Sequence, residues 1–179
     1  EESAPRAMAV LDPVRLEITN WEALMGCDNA GNGVLDPCSA PAHPHRPELG
    51  RRNFSIGREV WIERDDFAQV PPKGFHRLFP GNRVRLKYGH VVQCTGCRLD
   101  ASGRVESVQA ELIADTKSGT AGADAIKVKG VITWVGVSDG IAAEVRLYDR
   151  LFVDPQPDSG GRDFLASLNP NSLRVVQGI

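Results

Sequence analysis

Short runs in which apolar and polar residues alternate recur through this chain, separated by glycine, proline, asparagine and aspartate. A period of two places successive side chains on opposite faces of a strand, so each run can bury one face and wet the other. PVRLEITNW (13–21) sets Val14, Leu16 and Ile18 against Arg15, Glu17 and Thr19. NFSIGREVWIERDD (53–66), NRVRLKYGHVVQCTG (82–96, one long strand or two), SGRVESVQAEL (102–112), KVKGVITWVGV (127–137), EVRLYDRLF (144–152) and LRVVQG (173–178) follow the same rule. Residues 99–103 have the composition of a hairpin turn. Strands this closely spaced predict an all-β fold, barrel or sandwich. Two pieces read as short helices, RDDFAQV (64–70) and GRDFLASL (161–168), each stopped by a following proline.

Two loops interrupt the strands. Residues 25–50 are rich in glycine, proline and asparagine, and residues 115–126 are small and polar. The second loop sets the expected boundary, giving a first barrel over 1–118 and a second over 119–179. About sixty residues bury too little surface for a closed barrel. The second barrel is therefore expected to be partial and finished by sequence beyond Ile179. The first residue is Glu and the chain opens on EESAPRAMAV, which reads as an internal piece of a longer protein. No apolar run approaches the roughly 18 residues of a membrane helix, and no signal-peptide pattern is present. Four cysteines do not make a disulfide scaffold in a chain of this length. The expectation is a soluble, cytoplasmic protein.

RVRLKY (83–88) is the most informative stretch. As one strand it would line a face with Arg83, Arg85 and Lys87 and turn Val84, Leu86 and Tyr88 to the core. No acidic residue occurs from Phe67 to Leu99, while Lys73, Arg77, Arg83, Arg85, Lys87 and Arg98 fall there with His76 and His90. The formal net charge is −2 and the pI about 6.1, which argues against a generically basic nucleic-acid binder. Any such binding must come from this local patch. Side chains at i and i+2 on a strand are about 6.5–7 Å apart, close to the spacing of successive phosphates. Arginine can also bond a guanine edge or stack on an exposed base. A solvated outer face of a barrel would show the same alternation; the acid-free window favours binding.

Cys94-Thr95-Gly96-Cys97 is half of a zinc-site pattern. Cys27 and Cys38 lie in the long loop, and a loop folded over the strand end would assemble Cys27, Cys38, Cys94 and Cys97 into a tetrahedral site. Free thiols near a turn are the alternative. A thioredoxin-like role lacks the βαβ unit it needs. No phosphate-binding loop, dinucleotide fingerprint, nucleophile elbow or zinc-protease motif occurs. His43-Pro44-His45 reads as a surface pair, and Asp149 between Arg146 and Arg150 as a local ion pair.

APRAMAVLDPVRLEITNW, REVWIERDDF, GNRVRLKYGHVV, KVKGVITWV, AEVRLYDRLF and FLASLNPNSLRVV occur in this order. Together they closely resemble the C-terminal anticodon-binding region of bacterial glutaminyl-tRNA synthetases, over nearly the whole chain. The resemblance implies two six-stranded-type β-barrels similar to the ribosomal barrel that binds 5S RNA. It implies a parent glutamine–tRNA ligase whose upstream core uses ATP and Mg. The class I nucleotide-binding signatures are absent from this segment, so it is expected to be inactive alone and to carry no cofactor of its own beyond the zinc considered above. The implied partner is the anticodon loop of glutamine tRNA, with no membrane or DNA, and the implied state a monomer. By motif, Arg6 resembles the arginine at the middle base. His76 and Arg77 resemble the basic pair at the third base, and Arg85 and Lys87 the pair at the first. His45 falls where a loop asparagine contributes. Two other readings stand beside this one: a ribosomal-type RNA-binding barrel, and a zinc-stapled interaction domain with no RNA role.

Overall fold

The computed structural model describes residues 2–179, and its fold is all-β with little helix. In chain order the elements are β1 (Pro13–Ile18), α1 (Trp21–Met25), β2 (Asp36–Pro41), β3 (Arg51–Ile56), β4 (Glu59–Glu63), β5 (Arg83–Leu86), β6 (Val91–Leu99), β7 (Val105–Leu112), β8 (Gly130–Ile132), β9 (Trp134–Gly136), β10 (Ala143–Tyr148) and β11 (Leu173–Gly178). The chain divides into two compact units. One runs to Ile141 and includes Ile179; the other is Ala142–Gly178.

The first unit holds a seven-stranded sheet in the order β8-β5-β6-β7-β1-β4-β9. Its two end strands are separated in sequence only by Thr133. Residues 130–136 therefore pair with β5 on one side and β4 on the other, and nearly close the sheet into a barrel. This closing strand lies beyond the 115–126 loop at which composition set the domain boundary. It is drawn in by the registers Val84↔Gly130 and Ile62↔Trp134. The inward faces follow the period of two: Val14, Leu16 and Ile18 on β1, Val60 and Ile62 on β4, Val84 and Leu86 on β5, and Val108 and Ala110 on β7 are buried. Such side chains fill the interior of a small barrel, and each large one contributes roughly 1.5–3 kcal/mol on burial. The β6–β7 hairpin turns as expected. Asp100 Oδ1 accepts from the Ser102 and Arg104 amides at 2.8 and 2.9 Å, and Gly103 takes φ 81°.

Three local expectations change. Tyr88 does not face the core: β5 ends at Leu86, and Tyr88 is half-buried in the following turn at φ 64°. The two helical pieces shrink to 3-10 turns, Arg64–Asp66 and Phe164–Ser167. Part of the long loop is ordered as β2, paired antiparallel with β3.

In the second unit, β10 and β11 pair antiparallel from Ala143↔Gly178 to Tyr148↔Leu173. Phe152 and Phe164 meet edge to face at 6.3 Å between centroids. Gly178 is the only buried residue among its described ones, and Leu151, Val153, Phe164 and Leu165 are more than half or about half exposed. No described helix is long and apolar enough to cross a membrane.

Candidate nucleic-acid interface

β5 and the turn after it carry the cations of RVRLKY in three different settings. Arg83 is exposed, and its Nε donates to Gln93 Oε1 at 2.9 Å. Arg85 is half-buried and is satisfied by oxygens of the chain itself. It donates to the carbonyls of Thr116 at 2.7 Å, Gly89 at 3.3 Å and Ala123, and to Ser118 Oγ at 3.3 Å. This ties the 115–126 loop to the barrel wall. Asp36 holds the same loop from a second side, accepting from Lys117 Nζ at 2.7 Å and lying 2.8 Å from His90 Nε2. Lys87 is exposed, with Nζ 5.6 Å from the centre of the Tyr88 ring. Its backbone is fixed by Lys87 N to Ile132 O and by Trp134 Nε1 donating to Lys87 O, both 2.9 Å.

Arg77 sits 2.8 Å from Asp66, Nη1 to Oδ1. Asp66 is 5% exposed, and burial pushes its carboxyl up to about 6; the Arg77 charge pulls the other way, and Glu63 and Asp65 add to the rise. His76, next to Arg77, lines a cavity of about 530 Å³ with Phe75, Phe79, Arg83, Lys127 and Lys129. The two phenylalanines are tilted at 6.5 Å between centroids.

Arg6 and His45 come together in another cavity of about 590 Å³, with His43, Arg46 and Glu2. The Arg6 amide donates to Ala42 O at 2.8 Å, which fixes the entering chain against the loop. His45 N donates to His43 Nδ1 at 3.2 Å. The six residues expected at the site therefore fall into separate groups: Arg6 with His45, His76 on its cavity beside Arg77, and Arg85 and Lys87 at the β5 turn.

Charge is distributed unevenly over the barrel. Arg15 pairs with Glu59, and Glu17 with both Arg58 and Arg98. Among the described residues, Lys73, Arg83, Lys87, Lys127 and Lys129 form no ion pair with a carboxylate. Arg83, Lys127 and Lys129 of this set line one cavity, and uncompensated cations gathered in one place favour a polyanion there.

The four-cysteine site is not assembled. Among the described residues no group of three or more His, Cys, Asp or Glu is placed to hold a metal ion, and all four cysteines are free. Cys38 and Cys94 face the core of the first unit, where burial pushes both thiols up to about 11. Metal ligation needs the thiolate.

Residues 4–113 match the family described as class I tRNA synthetases (E and Q), anti-codon binding domain, and residues 131–179 match a second model with the same description. The chain belongs to this anticodon-binding domain family. It is 58% identical to the glutamine–tRNA ligase of Ralstonia pickettii over 174 residues, 97% of this chain and 29% of that protein. It is 57% identical to the enzymes of Cupriavidus taiwanensis and Bordetella pertussis, again over 97% of this chain. The chain thus spans less than a third of the length of the curated relatives it matches. Within this anticodon-binding domain, Lys127 and Lys129 lie between the two matched segments. In KVKGVITWV the two lysines flank Val128, the same alternation of cation and apolar residue that marks RVRLKY, and this is the sequence signal for them.

Proposed function

We propose that this chain reads the anticodon of glutamine tRNA for a glutamine–tRNA ligase, whose catalytic portion attaches glutamine with ATP and Mg. The observation that carries the reading is an uncompensated cationic region on a nearly closed barrel of the anticodon-binding family. Sequence-specific RNA recognition targets splayed single-stranded bases, and a few local cations suffice for that in a chain of net charge −2. Arg6, with His45 beside it, is assigned to the middle base. Arg77, oriented by Asp66, and His76 are assigned to the third. At the first base Lys87 makes the contact, and Arg85 shapes the pocket by holding the 115–126 loop. The segment binds and does not catalyse, acts as a monomer and works in the cytoplasm. Its 142–178 unit is part of a second barrel whose remaining strands cover the apolar side chains exposed there.

The test is binding of the chain to a glutamine tRNA anticodon stem-loop, beside one with the middle uracil replaced. Preference for the native loop supports base-reading pockets within these residues. Equal, weak binding to both overturns that assignment.

A further inference from the structure

The cavity lined by Phe75, His76, Phe79, Arg83, Lys127 and Lys129 contains the chemistry of a whole nucleotide and has no acidic residue in its lining. Two half-buried aromatic rings offer stacking surface. Two amides offer a base edge. Asn82 Nδ2 donates to Arg77 O at 2.7 Å, which leaves its Oδ1 as an acceptor, and Gln93 Oε1 accepts from Arg83, which leaves its Nε2 as a donor. Lys127 and Lys129 are exposed and without a carboxylate partner among the described residues. An ammonium is a compact point charge suited to phosphate.

The lysines are held against the cavity by backbone. In the parallel register Val84↔Gly130, Arg83 and Lys129 each precede a paired position, so they are neighbours across β5 and the start of β8. A Cβ at Gly130 would run into the carbonyl oxygen of His76, so the strand approaches the 75–79 segment as closely as only glycine allows.

We infer that Lys127 and Lys129 clamp a backbone phosphate of the RNA strand, adjacent to the nucleotide whose base enters the Phe75–His76 cavity. This rests on the anticodon-reading function and adds a phosphate contact from residues outside both family-matched segments. An acidic peptide would use the lysines and leave the stacked rings and paired amides without a purpose. RNA uses all of them.

The test is the salt dependence of binding between the full chain and the native stem-loop, for the unaltered protein and for K127Q/K129Q. Loss of the clamp on that one phosphate of a single strand reduces the slope of log K against log salt by about 0.7. Affinity falls at low salt while the preference for the native loop over the uracil-replaced loop is kept. An unchanged slope with binding intact overturns this inference and leaves the anticodon reading standing. An equal drop for R104Q, whose arginine pairs with Asp12, would mean general charge and not a clamp, and also overturns it. No binding by the unaltered chain overturns both. Because both lysines are exposed, a matching melting temperature verifies that the variant is folded.

Discussion

Arg77 Nη1 lies 2.8 Å from Oδ1 of Asp66, a half-exposed arginine held by an almost fully buried carboxylate. The folded-state pKa of Asp66 is pushed up to about 6 from an ordinary 3.8, so the folded protein binds that proton more tightly than the unfolded chain. A raised pKa contributes stability that is complete below about pH 3.8 and is lost as pH rises through 6. At neutral pH the charge is therefore kept at a cost. Asp66→Asn is expected to gain stability relative to the unaltered protein between pH 4 and pH 7.5, by on the order of 1–2 kcal/mol. Thermal melts across that range check it; a difference independent of pH contradicts it.

Arg77→Ala removes the positive charge that offsets this burial. Asp66 then stands buried without its partner, which costs roughly 1–3 kcal/mol at neutral pH. The same change is expected to weaken binding to the stem-loop by about 1–3 kcal/mol if Arg77 contacts a base. The double variant D66N/R77A separates the two effects. It should recover stability and leave binding weak. Recovery of binding together with stability would assign Arg77 a structural role only.

The barrel was legible because its strands bury one face each, and period-two alternation survives any tertiary context that keeps one side wet. β2 was not, because Asp36, Pro37 and Pro41 read as loop; it belongs to a two-stranded sheet, where proline is tolerated at an edge. α1 is five residues, too short to show a helical period. The alternation of RVRLKY ran on through Tyr88 because nothing in Lys-Tyr-Gly announces that the tyrosine, and not the glycine, takes the left-handed conformation. The cations between Phe67 and Leu99 were visible as a window without acids, whereas Arg6, Lys127 and Lys129 lie outside it. The destinations of the cations were not visible: Arg85 reaches oxygens 31 to 38 residues away, and nothing local in sequence marks that contact.

Arg85 and Lys87 are two residues apart and are expected to behave differently. Arg85→Ala strips donors from the carbonyls of Thr116 and Ala123, with a cost of roughly 1–3 kcal/mol for the groups left unsatisfied. It should make the 115–126 loop a site of early proteolytic cleavage. Lys87→Ala should leave stability within about 0.5 kcal/mol, as expected for an exposed surface position, and weaken RNA binding. Limited proteolysis and stem-loop titration of both variants check the pair. A loop equally resistant in Arg85→Ala contradicts the latch.

The 142–178 unit should open before the barrel. Its β10–β11 pair buries only Gly178 among the described residues, whereas every strand of the seven-stranded sheet contributes a buried side chain or backbone position. Regions with few buried apolar contacts exchange through low-cost local openings, and core strands approach the global free energy. Amide hydrogen exchange of the chain is therefore expected to be faster for Val145 and Leu147 than for Leu16 or Val108, by several orders of magnitude. Addition of the strands proposed to complete the second barrel should slow the first pair and leave the second unchanged. Equal protection of all four amides in the chain alone would show that the two-stranded unit needs no further strands.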